Sequence, residues 1–540
     1  MWLAITLALL LKLALQLSGV ITFNSDEGVM TVMARHILQG QLPVFHYGQS
    51  YMGTVENFLM ALVFVLFGQS VFTARIGVVV LYAVFGVGTT YLLAWRVTEH
   101  RFAATAAALL VALPPVMITL YTSVSLGAWI AILVLNNLVF WLGWDILTER
   151  KRALGWWLLA GFVSGVGWWE LPIIAASVGP LAILGIVRFR RRIPWVNLTG
   201  TAAAFLVGAS PWIIALASRA QYMLGDLIGV RLSTATSGDP MVSHLAGRVV
   251  SALFLNIPAL FGLRPSWSME WVALPVGLLV VSFYIGALAH GVRVARSASE
   301  PDYRRTAVTS LLGAWILIMA VFIPSPFAVD PSGRYIMLLY PPAAILASDW
   351  LARVQRGDLA LPRLAAKWAA PVVLASLLLY NLVGNVRSAL KNPPGLTTQF
   401  TQIAHIPHDY DEALITFLDS IHVDRGYSNF WVTFRFAFLT QERIILAPAL
   451  PFKEDLSYTT RDNKYPPYMA MAREADEVVY VTSNHPRLDE AMRDRFAELG
   501  INFREEAVGP FTVFYDLPYP ITPQELGPFG EVTGFEIYGP

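Results

Sequence analysis

The chain has 540 residues, is 56% hydrophobic and only 14% charged, against roughly 25% charged in soluble domains. That balance places most of it in lipid, and a net charge of +1 removes the electrostatic footprint of a nucleic-acid binder. The absence of cysteine excludes disulfides, thiolate metal sites and a cysteine nucleophile.

The first apolar segment, centred near residue 11, lacks a basic start, and no A-x-A-like site follows it. It reads as a retained membrane helix rather than a cleaved signal peptide. The segment ends in "ITFNSDEGVM" (21–30), where two carboxylates, Asp26 and Glu27, sit at the membrane boundary. The pattern predicts an amphipathic helix over 25–39, with Ser25 as N-cap and the acids in its first turn. Val29, Val32, Met33 and Ile37 lie near one face, and Gly40 can close the helix. One reading of the acids is compensation of the helix dipole, worth a fraction of a kcal/mol. One acid would suffice for that. Ionisable groups at a membrane boundary are disfavoured unless they face water or protein. The same loop also brings in His46, Tyr47, Tyr51 and Glu56, so the other reading is an active site. The apolar run 55–67 is too short to span and is expected in the interface.

Ten more apolar segments follow, centred near 83, 111, 136, 161, 179, 207, 280, 315, 343 and 376, making eleven expected spans. The pair around 161 and 179 is separated only by "WWELP" and reads as two spans or one broken helix. Basic residues decide for two. With eleven spans, Arg96/Arg101, Arg150–Arg152, Arg188–Arg192, Arg293–Arg305 and Arg353–Lys367 all fall on one side. The connections at 113–126 and near 170 carry no basic residue. The basic side is expected to be cytoplasmic, with the N-terminus inside and everything after 385 outside, in the plasma (inner) membrane. Glu170 reads as the turn between two spans, with a cavity-facing role as the alternative. The sequon Asn197-Leu198-Thr199 reads as chance. Lys12 is an exception among helix interiors nearly free of charge.

Three external regions can hold chemistry: 22–69; 218–270, with Arg219, Arg231, Arg248, Arg264 and an apolar stretch at 249–263; and the tail, 390–540. The expected division is a membrane domain over 1–385, a linker over 386–408 and an extracytoplasmic α/β domain over 409–540. In the tail, 410–421 and 486–500 read as helices, and 443–448, 476–483 and 510–517 as strands, an alternation that suggests a small α/β domain. It has no glycine-rich phosphate loop. His405-x-x-His408-Asp409 has a metal-ligand spacing but reads as a polar linker.

An Asp-Glu pair opening an external helix, then "LQGQLP", "HYG", and a short helix ending "VFVLFG" before "ARI", resemble the GT-C glycosyltransferase superfamily. The likeness is to its protein O-mannosyltransferase and lipid A aminoarabinose transferase group. "DPSGRYIMLLYPPAAIL" (330–346) is similar to that group's Arg-Tyr-rich start of a late membrane helix. The likeness covers roughly 1–385. One departure is Gly53, where the aminoarabinose branch has an acid; the next acid here is Glu56.

The resemblance implies a polytopic α-helical membrane protein that moves a sugar, with inversion, from a polyprenyl-phosphate carrier to a protein, lipid or polysaccharide acceptor outside the cytoplasm. Asp26 would take the acceptor's proton, and Arg334, beside Tyr335, would meet the leaving phosphate. Glu27 would orient Asp26, hold a metal or simply cap the helix. With Glu56 the pair offers oxygen ligands to magnesium or manganese, although no cofactor is demanded. Glu56, His46, Tyr47, Tyr51, Arg334 and Tyr335 are the expected substrate-binding residues. For the tyrosines the alternative is interfacial anchoring, and for Arg334 it is snorkelling to headgroups. A multi-pass transporter or flippase, and a sensor whose tail binds partners, are the competing readings.

Overall fold

The computed structural model describes residues 1–227, 241–357, 363–391 and 395–533. Arg231, the expected linker residues 393 and 394, and the last seven residues of the expected tail domain lie outside the described residues. The chain is a multi-pass membrane protein with a small α/β domain after its last long helix.

Helices occupy all eleven expected centres. Among the described residues, seven are long and apolar enough to cross a bilayer alone, or eight if Trp195–Gly208 and Ser210–Ala220, bent by 65°, form one span. The other three, Trp2–Leu17, Arg101–Ala112 and Leu154–Glu170, are shorter. Arg101–Ala112 stops where Pro114 and Pro115 remove two backbone donors, and Val116–Tyr121 resumes beyond them. The segments flanking "WWELP" are two helices. Trp157, near the start of the first, packs against Phe189, at the end of the second, with ring centroids 5.8 Å apart. The two therefore run antiparallel. The final membrane helix continues to Lys391, past the expected boundary at 385.

The basic connections gather at one end of the bundle. Arg96 pairs with Asp145 at 2.6 Å, Arg188 with Asp302 at 2.8 Å and Arg304 with Asp349 at 2.6 Å. Arg353 pairs with Glu300, and the Arg150 guanidinium lies over the Tyr303 ring. The first loop and the tail occupy the other end.

The tail's strands are Arg425–Ser428 (β1), Ile445–Pro448 (β2), Tyr458–Thr459 (β3), Val479–Ser483 (β4), Arg504–Val508 (β5), Phe511–Tyr515 (β6) and Val532–Thr533 (β7). Five form one sheet in the order β2-β1-β4-β6-β5, with β1 parallel to β2 and β4, and β6 antiparallel to β4 and β5. All three expected strands are present, and both expected helices are found as Asp411–Ser420 and Pro486–Glu498. The sequence did not reveal β1, β5 or the helix Phe430–Leu439, whose "FWVTFRFAFL" is apolar on every side.

Val432 and Phe436 bury one face of that helix in the tail's own core, and the first loop covers the other. Phe23, Met30, Met33 and Phe64 share one core with Phe430, Phe434, Phe438 and Tyr480. The loop helix Ser25–Leu38 lies so close to Phe430–Leu439 that a Cβ on Gly28 would stand 2.7 Å from the Phe434 backbone. The loop and the tail are thus one packed unit. The helix Val55–Phe67 belongs to it on one face, through Met60, Ala61 and Phe64, while Leu62, Val65, Leu66 and Phe67 are exposed. A 13-residue helix with one bare apolar face suits the membrane interface.

Candidate active site

The cap of the loop helix lies one residue earlier than expected. Asn24, not Ser25, is the N-cap, and its side-chain oxygen accepts from the N–H groups of Asp26 (3.1 Å) and Glu27 (3.4 Å). Ser25 is diverted because its hydroxyl accepts from the backbone N–H of Arg435 in the tail. The Asn24 side-chain amide also donates to Thr398, whose hydroxyl donates to Asp26 Oδ2 at 2.9 Å. Asp26 Oδ1 has no protein donor among the described residues. Asp26 is thereby aimed by one oxygen and open at the other. Burial pushes its pKa up, while the charges of Arg334 and Lys464 pull it back down.

Glu27 points elsewhere. Both of its oxygens are held by Arg75, at 2.8 and 2.7 Å, and Arg75 also donates to the carbonyl of Ile21. The pair is buried and ties the loop helix to the long membrane helix Val71–Thr98. Glu56 is likewise occupied. Its Oε1 accepts from the N–H groups of Ile130 and Ala131, and its Oε2 from the Ser125 hydroxyl. It caps the membrane helix Trp129–Leu147, whose first N–H groups have no partner within the helix. Burial raises its pKa to about 7. The acids Asp26, Glu27 and Glu56 therefore do not form a set that fits magnesium or manganese. Among the described residues no three His, Asp or Glu side chains converge as metal ligands.

Gly53 explains the departure from the family pattern. A Cβ there would stand 2.7 Å from Glu170 Cα and from the Trp169 carbonyl. Glu170 sits at the turn between two helices, and its Oε2 accepts from the N–H of Val55, capping Val55–Phe67. No side chain, acidic or otherwise, fits at residue 53 without moving this backbone.

Arg334 is held within electrostatic reach of Asp26 by a braced loop. Asn256 Oδ1 accepts from the Gly333 N–H, and the buried Arg264 donates to the Pro331, Leu255 and Ser268 carbonyls. Arg334 pairs with Asp330 at 2.7 Å, touches the Tyr335 hydroxyl at 3.4 Å and leaves its Nε without a partner among the described residues. Tyr335 in turn lies close to Tyr51. These two phenols close one end of an apolar groove of about 530 Å³ between the helices Pro172–Phe189 and Asp302–Phe322. Ile173, Ala176, Ile318 and Val321 line it. Tyr335, which contacts Arg334, is one of its lining residues.

The other aromatic candidates are placed differently. Tyr47 hydrogen-bonds His36 at 2.8 Å and stacks on Tyr465, in the contact between loop and tail. His46 is buried, and desolvation and the Lys464 charge push its imidazole down to about 4, so it is neutral near pH 7. His408, expected in a polar linker, accepts from the Phe23 N–H and contacts Asp411 and Arg435. It pins the linker three residues before Asp26. Thr398, Asp330, Lys464 and Asp462 were not legible as site residues. Burial lifts the Asp462 carboxyl to about 7, and the charge of Asp26 adds to that rise.

No protein-family model matches the sequence, and no curated protein matches it. Solved structures do. ArnT from Cupriavidus metallidurans in the apo state aligns over 96% of this chain and 98% of its own, with a TM-score of 0.55 and 13% identity. The same protein bound to undecaprenyl phosphate aligns over 95% and 98%, again at a TM-score of 0.55 and 13% identity. The oligosaccharyltransferase of Archaeoglobus fulgidus, in complex with Zn and sulfate, aligns over 96% of this chain and 72% of its own, at a TM-score of 0.50 and 13% identity. The chain shares the fold of these solved proteins.

Proposed function

We propose that this chain is an inverting glycosyltransferase that moves a sugar from a polyprenyl-phosphate carrier to an acceptor on the extracytoplasmic face. The observation that carries the reading is Asp26: a carboxylate with one oxygen held and one open, in the field of Arg334, whose neighbour Tyr335 lines an apolar groove. A general base needs the open oxygen, a leaving phosphate needs the cation, and a polyprenyl chain needs the groove. The fold shared with ArnT, which has been solved with undecaprenyl phosphate bound, supports the carrier class. The basic residues gathered at the opposite end support placing the site outside the cytoplasm.

The acceptor's hydroxyl proton passes to Asp26 Oδ1 as its oxygen attacks the sugar's anomeric carbon from the face opposite the phosphate. A bond forms between acceptor oxygen and carbon. The bond from that carbon to the phosphate oxygen breaks, and its electron pair stays on the phosphate. Single displacement inverts the anomeric centre. Arg334, held by Asp330 and Tyr335, faces the growing negative charge. In such a site preorganised donors act more strongly than they would in water. Glu27 keeps the loop helix in place through Arg75, and Glu56 and Glu170 cap helices, so neither sugar nor metal chemistry is assigned to them. Transport has less support: Lys12, the charge inside the first helix, is fixed to Thr122 and Ser123.

The test compares glycans and glycolipids by mass spectrometry in a deletion strain complemented with wild type or with Asp26→Asn. The wild type is expected to restore a missing glycosylated species, and the variant is not. An unchanged profile on deletion, or full restoration by the variant, would defeat the reading.

A further inference from the structure

The displacement needs more positive charge than Arg334 supplies. The carrier's phosphate gains a negative charge as the sugar leaves, and Arg334 is already paired with Asp330 at 2.7 Å. A second cation, from the tail, acts on Asp26 together with Arg334. Lys464 follows the short 3₁₀ turn Thr460–Asp462. Its stem lies against Gly48 of the first loop, where a Cβ would meet Lys464 Cδ, and its ammonium is 5.9 Å from the centre of the Phe430 ring. Among the described residues that ammonium has no hydrogen-bond acceptor and no ion-pair partner. Burial and the charges of Arg461 and Arg334 lower its pKa, while Asp462 and Asp26 raise it and hold the charged form. His46, its neighbour in the loop, is neutral and offers no compensation. Tyr51, which closes the groove, feels both Arg334 and Arg461, the latter on the turn that leads to Lys464. The turn therefore lies within electrostatic reach of Tyr51, which lines the groove.

We propose that Lys464 of the C-terminal domain is the second cation of the phosphate site, so that the tail completes the catalytic centre. This rests on the glycosyltransferase reading above. When the anomeric carbon–oxygen bond breaks, its electron pair moves onto the phosphate, the proton having gone to Asp26. The new charge is shared between a guanidinium from the membrane domain and an ammonium from the tail. Arginine preserves the charge at residue 464, whereas methionine and glutamine keep the length and remove it.

The experiment measures binding of undecaprenyl phosphate and, separately, of inorganic phosphate to the purified full chain in detergent, together with turnover. Lys464→Met is expected to weaken carrier binding about 10- to 100-fold, the size of one lost charge-assisted hydrogen bond. Turnover should fall further than KM rises, because the phosphate charge grows during the reaction. Lys464→Arg is expected to keep carrier binding within a few-fold of wild type. A parallel loss of inorganic phosphate binding in Lys464→Met would assign the effect to the phosphate rather than to the lipid. If Lys464→Met does not fold, as judged by its melting curve, Lys464→Gln takes its place. Carrier binding equal to wild type in the charge-removing variant overturns the proposal. So does a change confined to the pH–rate profile, which would mark Lys464 as a group that only tunes Asp26. Failure of the wild type to bind the carrier at all would instead overturn the glycosyltransferase reading itself.

Discussion

Arg75 holds both oxygens of Glu27, from Nε to Oε1 at 2.8 Å and from Nη2 to Oε2 at 2.7 Å. This one bidentate contact separates two acids that are neighbours in sequence. It commits Glu27 to the fold and leaves Asp26 to the cavity.

The pair is buried, so removing one partner strands a charge. Glu27→Ala should destabilise the protein by about 3–5 kcal/mol, and the double variant with Arg75→Ala should recover part of that loss. Thermal and denaturant melts in detergent check this. A variant that melts like wild type but has lost transfer would instead place Glu27 in the chemistry.

Asp26→Asn should lower turnover by about 10²- to 10⁴-fold, the usual share of a general base, and leave carrier binding intact. It should also raise the melting temperature at neutral pH. The sign follows from burial. The folded-state pKa of Asp26 lies above its ordinary 3.8, so folding favours the protonated acid. The stability it contributes is complete below the unfolded pKa and is lost as pH rises through the folded one. An amide escapes that loss.

The same carboxyl sets a pH dependence. Transfer should rise with pH as Asp26 ionises, with its midpoint above 3.8. Arg334 and Lys464 both lower the Asp26 pKa, so Lys464→Met should move the midpoint upward. Rate profiles for the two proteins check the direction.

Gly53→Ala would bring a methyl to 2.7 Å from the Glu170 backbone. Overpacking of this kind usually costs about 1–3 kcal/mol. A lowered melting temperature without a changed KM for the carrier is the expected outcome.

Glu56→Gln should be nearly silent in transfer, because an amide oxygen can still accept from Ile130 and Ala131 while its nitrogen donates to Ser125. Glu56→Ala should destabilise, since it uncaps Trp129–Leu147. Equal loss of transfer in both, with normal melting, would return Glu56 to the substrate site.

Much of the architecture was legible in the sequence. Each of the eleven apolar centres is helical, and the "WWELP" segments are the two antiparallel helices that the arginine asymmetry required. The tail's α/β character showed in the strand 479–483 and the helix 486–498. The helix 430–439 did not show, because its apolar residues have no amphipathic period. Phe430, Phe434 and Phe438 are covered by the first loop, some 400 residues away in sequence, while Val432 and Phe436 face the tail's own core. Of the expected site residues, Arg334, Tyr335 and Tyr51 lie close together, and Arg334 acts electrostatically on Asp26. Thr398, Asp330 and Lys464 carried no local signal, since a lone threonine or lysine in a polar stretch looks like any solvated residue.

The sequence by itself determined which segments enter lipid and which acids lie at the boundary. The reason is that desolvation of charge and bilayer thickness act on local composition. Only the tertiary structure decided which of two adjacent carboxylates is free, because a carboxylate is taken or open according to the donors within 3 Å of it. For Glu27 the donor is Arg75, 48 residues along the chain. For Asp26 it is Thr398, 372 residues away, which holds one oxygen and leaves the other to the cavity.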